Sequence, residues 1–247
     1  MKTKIVLLTT FFLAAFATAV AAQDAGDVRT EPYEIICNYD IAVSGYVDMG
    51  LSVKWAACNI GASSPEHSGY YFAWGEVEPT PVELLWVGNE EEWQPWLNYK
   101  HFLPGGPNTK GQLIKYNSDS AFGAVDNKVV LDKEDDAAFV ATNGVGRTPT
   151  AEEFMELVEN CTWEFIDYKG AWGAVVTGPN GAQIFLDAMG EMKVTGEDCS
   201  YYMTSSLDSR PLYAVCCLIG NDSFRWDART KLLCYMSECF NVRAVCD

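Results

Sequence analysis

The segment from Arg147 to Trp163, RTPTAEEFMELVENCTW, constrains the fold more than any other part of the sequence. Thr150 precedes Glu153 by three residues, the spacing of a capping box, in which each side chain accepts a hydrogen bond from the other residue's backbone N–H. Apolar residues then follow at the spacing of one helix face: Phe154, Leu157 and Val158. The sequence therefore predicts a short amphipathic helix that begins after Thr150 and packs on a core.

A second helix is predicted over residues 132–140, with Asp132 as its N-cap. Glu134, Asp135 and Asp136 would then stand in the first turn, where the helix dipole favours negative charge. These carboxylates are also a candidate calcium site. Because consecutive acids on a helix point in different directions, a helix start is the simpler interpretation.

Short β-prone segments account for most of the remaining sequence. They are residues 53–59, 70–74, 162–168, 174–177, 183–186, 201–206, 212–219 and 242–246. Between two of them, Asn180-Gly181 is the preferred residue pair for a type I′ hairpin turn. Two short helices with many short strands predict an α+β fold with antiparallel sheets and long loops.

The N-terminal residues have the pattern of a signal peptide, which we predict over residues 1–22. Two lysines precede an apolar run that is too short to span a bilayer, and small residues follow it. We therefore expect an exported protein, whether periplasmic, secreted or at the cell surface, without membrane insertion after cleavage. Residues 23–44 show no clear periodicity and are predicted to be a leader, followed by one domain over residues 45–247.

The charge balance limits the partners that the chain can bind. The sequence holds 34 acidic against 17 basic residues, a net charge of −17. Such a surface repels phosphate backbones and anionic membranes, which argues against nucleic acid as a partner. The sequence also holds nine cysteines. Export permits disulfides, but their pairing cannot be deduced from sequence, and an odd number leaves at least one cysteine unpaired within the chain.

Several segments resemble one secreted bacterial module. Residues 147–154 resemble the Arg-x-Pro-Thr-x-x-Glu-aromatic signature of formylglycine-generating (sulfatase-modifying) enzymes and their non-enzymatic relatives, although Thr148 replaces the usual Leu or Met. Residues 46–79 resemble the opening of the Fibrobacter succinogenes major paralogous domain. Further similar segments are residues 115–138, 176–190, 201–207 and 241–247. This resemblance implies a C-type-lectin-like fold.

The resemblance leaves an enzymatic and a non-enzymatic function open. Formylglycine-generating enzymes bind copper through two cysteines near the C-terminus, and Cys234 and Cys239 have a similar spacing that suits Cu(I). In those enzymes, however, the pair lies farther upstream of the closing strand, and its basic and aromatic surroundings are not matched here. Because the similarity is greater to the non-enzymatic branch, we expect no catalytic residues, no cofactor and no metal. A structural surface or fimbria-associated subunit is a third alternative.

Residues 207–240 are the predicted recognition surface, because the segments on either side match the family and this interior does not. The interior is rich in aromatic residues and arginine, which supply contact energy at interfaces. The candidate ligand-binding residues are Tyr213, Phe224, Arg225, Trp226, Asp227, Arg229, Tyr235 and Phe240. Either diversification toward different targets or ordinary drift with local disulfides explains the divergence. The expected partner is an extracellular protein or a glycan.

A long irregular segment over residues 75–112 is a second candidate for sugar binding. It carries Trp86, Trp93 and Trp96, whose ring faces can stack on sugars. The alternative is that these tryptophans attach the loop to the domain.

Overall fold

The computed structural model describes residues 39–42, 44–81, 99–105, 111–189, 199–222 and 225–247, and between residues 221 and 233 it describes the backbone alone. Residues 39–247 form one compact unit. The predicted signal peptide, most of the predicted leader, the three loop tryptophans and Phe224 lie outside the described residues.

The described chain contains two α-helices and thirteen strands. The helices are α1 (Ala137–Ala141) and α2 (Ala151–Asn160). The strands are β1 (Tyr46–Val47), β2 (Lys54–Ala56), β3 (Tyr71–Ala73), β4 (Phe102–Leu103), β5 (Gln112–Leu113), β6 (Thr162–Tyr168), β7 (Ala171–Thr177), β8 (Gln183–Asp187), β9 (Cys199–Leu207), β10 (Tyr213–Asp222), β11 (Arg225–Tyr235), β12 (Cys239–Asn241) and β13 (Val245–Cys246).

Helix α2 begins as predicted, with a complete capping box. The Thr150 hydroxyl accepts the Glu153 backbone N–H at 3.2 Å, and the Glu153 carboxylate accepts the Thr150 N–H at 2.8 Å. Arg147 holds the same carboxylate by two hydrogen bonds of 2.8 and 2.6 Å. Phe154 and Leu157 are fully buried, which confirms the predicted apolar face.

The predicted start of the first helix is wrong. Helix α1 has Asp136, not Asp132, as its N-cap, and residues Lys133–Asp135 form a separate 3₁₀ turn. The Asp136 carboxylate accepts the backbone N–H groups of Ala138 and Phe139, and it also accepts the N–H and hydroxyl of Thr148. Asp136 therefore joins the start of α1 to the segment that enters α2, a tertiary contact that the local sequence does not show.

The sheets confirm an α+β fold that is mostly antiparallel. The largest described sheet has the strand order β11-β10-β9-β12-β3, and in it β12 pairs with β9 in parallel. Smaller described sheets are β6-β7-β8, β1-β2-β13 and β4-β5. Ahead of β1, Ile41 forms a bridge to Gln183 at the edge of β8. Strand β6 has the predicted bounds, whereas β11 was not predicted.

The hairpin between β7 and β8 does not contain the predicted type I′ turn. A hydrogen bond of 2.9 Å from the Gly181 N–H to the Gly178 carbonyl closes the turn. Asn180 does not have the positive φ that type I′ requires, and Gly181 takes the left-handed conformation instead, at φ +86°. Pro179 at the first central position favours this arrangement, because its ring fixes a negative φ.

The five-stranded sheet separates two apolar cores. Ala214 and Cys216 of β10 face the first core, together with Trp74. Cys217 and Ile219 alternate to the other face and enter the second core, which includes Phe154 of α2. Strand β10 is therefore buried on both faces, and α2 packs across β9, β10 and β11.

A buried arginine ties the closing segment to the smaller sheets. Arg243 is 0% exposed, and its guanidinium donates to the carbonyls of Ala56, Ala57 and Phe185 at 2.9, 2.6 and 2.8 Å. Its Nε donates to the Asn59 side-chain oxygen at 2.7 Å. These bonds connect β2, the loop that follows it and β8 through one side chain.

Replacing Thr150 by alanine removes one half of the capping box and leaves the Glu153 N–H without its acceptor. We expect the free energy of unfolding in urea to fall by about 1 kcal/mol. Thr150→Ser is the matched control, because it keeps the hydroxyl and should stay near the wild-type value. Equal losses in both variants would contradict a capping role.

Candidate functional site

The turn between β9 and β10 is the best candidate site in the described chain. The Asp208 N–H donates to the Tyr213 carbonyl at 3.1 Å, which closes the turn. The Asp208 carboxylate accepts the backbone N–H of Arg210 at 3.0 Å and its Nε at 2.9 Å. Leu212 adopts a positive φ of 73°, which is uncommon for a branched side chain. The turn therefore has a defined shape, with Arg210 exposed at its tip.

Two of the predicted site residues meet beside this turn. Tyr213 and Tyr235 are directly opposite each other on β10 and β11, and their ring centroids are 4.5 Å apart at an interplanar angle of 30°. A hydrogen bond between the two side chains raises the pKa of Tyr213, and burial adds to that effect. The Arg210 guanidinium lies 5.2 Å from the Tyr213 ring centroid. Together they form a partly exposed aromatic surface with a cation at its edge.

A cleft of about 270 Å³ opens beside Tyr213, which lines it, and Tyr235 packs against the Tyr213 ring. The Leu207 N–H donates to the Val129 carbonyl at 2.9 Å. This contact fixes residues 128–129, which form the wall of the cleft that faces the β9–β10 turn. The apolar lining comes from Val129, Leu207, Pro211, Leu212 and Met236. The charged lining comes from Lys128, Asp208 and Arg210.

The charges at the cleft are already paired within the chain. Lys128 forms an ion pair with Asp132, and Arg210 pairs with Asp208 at 2.9 Å. A ligand therefore meets apolar surface, an aromatic edge and oriented polar groups, without a strong excess of either charge. At about 270 Å³ the cleft is slightly smaller than ligand pockets usually are, about 300–1,000 Å³, so it would enclose only a small part of a larger ligand.

Among the other predicted site residues, Phe240 is the one whose side chain the structure describes, and it does not line this cleft. Phe240 lies in the first core, 7% exposed, where its ring packs against Tyr201 at a centroid distance of 5.2 Å. The prediction that Phe240 belongs to a recognition surface is therefore wrong. Its strand, β12, is an interior strand between β9 and β3. Arg225, Trp226, Asp227 and Arg229 lie along β11, for which only the backbone is described at these positions.

Sequence reasoning missed the contributions of Lys128 and Arg210. Lys128 is far from the tyrosines in sequence, and only the pairing of its segment with the end of β9 brings it close. Arg210 lies within the predicted segment, but it is next to a proline in a turn and carries no motif. The aromatic and arginine enrichment that identified Tyr213 would also have identified Arg210.

A partly buried carboxylate, Glu238, follows the strand that ends at Tyr235. The Glu238 side chain accepts the Tyr235 backbone N–H at 2.9 Å, and the Glu238 N–H donates to the Tyr235 carbonyl at 3.0 Å. Burial raises the pKa of Glu238 above its usual value, against the effect of that hydrogen bond. These two contacts set the position of Tyr235 at the end of β11.

The two cysteines of the copper hypothesis make different contacts. The Cys234 thiol is hydrogen-bonded to Cys216 and donates to the Ala214 carbonyl at 3.5 Å. The Cys239 thiol instead contacts the Thr80 hydroxyl at 3.2 Å. In the described part of the chain, the two thiols therefore contact different groups.

The acidic cluster considered for calcium surrounds a lysine. The Lys115 ammonium lies 2.6 Å from Asp132, 3.3 Å from Glu134 and 2.5 Å from Asp135. Asp135 also accepts hydrogen bonds from Lys100 and the Tyr116 hydroxyl, both at 2.8 Å. The ammonium group therefore occupies the position between the carboxylates that a cation would take, and the cluster connects the 99–116 region to the start of α1.

Asp135 should make the stability of the fold dependent on pH. Burial alone would raise its pKa, but the hydrogen bonds from Lys100, Lys115 and Tyr116 outweigh burial and hold the pKa well below its usual range. The stabilisation is therefore present above the unfolded-state pKa of about 4 and is lost as the pH falls further.

We expect Asp135→Asn to lower the free energy of unfolding by about 2 kcal/mol near neutral pH, and by progressively less between pH 4 and pH 2. Urea unfolding across this range provides the measurement. Glu134→Gln is the control, because Glu134 is exposed, and its effect should be small at every pH. A loss in Asp135→Asn that stays constant with pH would contradict the assignment.

Comparison with known proteins does not assign the chain to a family or a function. The chain matches no protein-family model, no curated protein and no solved structure. Among the described residues, no helix has the length and apolarity needed to cross a membrane. The geometry of the cleft and of the adjoining tyrosine pair is therefore the basis for the proposed function.

Proposed function

We propose that this protein is an exported, non-catalytic ligand-binding module with a C-type-lectin-like fold, and that it binds its ligand at the cleft beside Tyr213. The fold proposal is supported by the two short helices, the mostly antiparallel sheets and the sequence resemblance. The site proposal is supported by the partial exposure of the tyrosine pair, which lies within the segment predicted for recognition.

The observation that carries the proposal is the Tyr213–Tyr235 pair with Arg210 at its edge. Stacked tyrosines supply a large contact area at low entropic cost, and their hydroxyls can form hydrogen bonds with a ligand. Both residues are located at the ends of long paired strands, and the Glu238 carboxylate accepts the Tyr235 backbone N–H. The surface is therefore preorganised, which reduces the ordering cost of binding.

The ligand class that fits best is a glycan. A sugar ring presents C–H groups that pack on an aromatic face and hydroxyls that bind to paired charged groups such as Arg210–Asp208. The cleft has apolar lining next to both kinds of polar group. The net charge of −17 disfavours nucleic acid, because a phosphate backbone would be repelled.

The proposal can be tested by screening the mature protein on a glycan array and titrating the strongest oligosaccharide by calorimetry. We expect Tyr213→Ala and Tyr235→Ala each to weaken binding by about 10-fold or more, because aromatic contacts dominate such sites. Arg210→Met should also weaken it. Tyr70→Ala is the matched control, because Tyr70 is 52% exposed but neither lines the cleft nor belongs to the tyrosine pair.

An affinity that is unchanged in Tyr213→Ala, Tyr235→Ala and Arg210→Met would place the glycan site elsewhere on the molecule. An array without any binding would contradict the glycan assignment. In that case immobilised extracellular proteins are the next ligands to screen, with the same variants.

A further inference from the structure

Two buried cysteines on neighbouring strands have their thiols in contact. Cys216 on β10 is 1% exposed and Cys234 on β11 is 5% exposed. Their side chains are hydrogen-bonded to each other, and both belong to the first core. In the structure both are thiols.

The strand register indicates which cysteine lies close enough to bond with Cys234. Ala214 pairs with Cys234 and Cys216 pairs with Leu232, so Cys216 and Cys234 are diagonal neighbours on one face of the sheet. Cys217 faces the second core instead, as the alternation of a strand requires. Cys239 contacts Thr80. Among these cysteines, Cys216 is therefore the one positioned to bond with Cys234.

We propose that Cys216 and Cys234 form a disulfide bond in the mature protein, which links β10 to β11 next to Tyr235. In the cell the bond requires an oxidising compartment, because cytosolic thiols are kept reduced, and this part rests on the proposed export. The geometric part can be tested without it.

The bond forms by two thiol–disulfide exchanges with a disulfide oxidant, such as oxidised glutathione. The thiolate of one cysteine attacks the oxidant and releases one glutathione thiolate, and the second cysteine then displaces the other glutathione. The two cysteines lose two protons and two electrons, one S–S bond forms between them, and the oxidant is reduced to two glutathione thiols. No other reactant is needed.

Burial determines when this exchange takes place. The hydrogen bond from Cys216 raises the pKa of Cys234, and burial raises it further. Because both thiols are also almost fully buried, a soluble oxidant has little access to them, and exchange in the folded state is slow. The bond therefore forms while the β10–β11 hairpin is still open, and the core then shelters it from reductants.

The test is to refold the reduced mature chain in a buffer of reduced and oxidised glutathione, block remaining thiols with N-ethylmaleimide and map the linked peptides. We expect a peptide containing Cys216 to be linked to one containing Cys234. Fragmentation of the linked peptides distinguishes Cys216 from Cys217 and Cys234 from Cys239. Wild-type mapping does not depend on the folding of any variant.

The matched variants distinguish this pair from its neighbours. Cys217→Ala and Cys239→Ala should retain the link, whereas Cys216→Ala and Cys234→Ala should lose it. A reductant should lower the melting temperature of the refolded wild type by about 5–10 °C, as expected for a loop of this length. The melting temperatures of Cys216→Ala and Cys234→Ala should not respond to the reductant.

Maleimide on both Cys216 and Cys234 after refolding would overturn the proposal, as would a link from either residue to a different cysteine. A link that forms on refolding but is missing from protein purified from cells, with thiols blocked at lysis, would count against export rather than against the geometry. Neither result depends on whether the cleft binds a glycan.

Discussion

The guanidinium group of Arg243 is the interaction on which the arrangement of the smaller sheets depends. It is fully buried and binds three backbone carbonyls and the Asn59 side chain. Those carbonyls come from β2, the residue after it and β8, so one side chain connects segments that are far apart in sequence. A buried charge is costly unless its hydrogen bonds are satisfied. The guanidinium is therefore stable only when all of these segments are in place.

This network continues to the five-stranded sheet through neutral and acidic groups. Asn59 donates to the Ser68 carbonyl at 2.9 Å, and the Ser68 hydroxyl donates to Asp187 at 2.5 Å. Tyr202 of β9 in turn donates to the Asp187 carbonyl at 2.9 Å. Strand β9 leads directly into the turn that carries Arg210. The cleft is thus an outer extension of a strand whose middle is fixed by buried hydrogen bonds, and this explains how a short turn can keep a defined shape.

Local signals in the sequence predicted those elements that local interactions form. The capping box of α2 and the bounds of β6 follow from side chains within a few residues of each other. The predicted start of α1 is wrong because three aspartates, Asp132, Asp135 and Asp136, compete for the N-cap, and the contact with Thr148 decides in favour of Asp136. The strand β11 was missed because its charged sequence, RWDARTKLLCY, does not alternate clearly. The cleft depends on the pairing of residues 129–131 with β9, which no local pattern indicates, although the composition of residues 207–240 did identify both tyrosines.

The most direct test of the central claim is the urea unfolding of Arg243→Met beside Arg210→Met. Both variants replace an arginine by an apolar side chain of similar length. Arg243 is buried between β2, the loop after it and β8, whereas the Arg210 side chain is 58% exposed. The account predicts a loss of about 3–5 kcal/mol in Arg243→Met, because four buried acceptors lose their donor, and a change below about 0.5 kcal/mol in Arg210→Met. Equal and small losses in the two variants would contradict the claim that the arrangement of the smaller sheets depends on the Arg243 guanidinium.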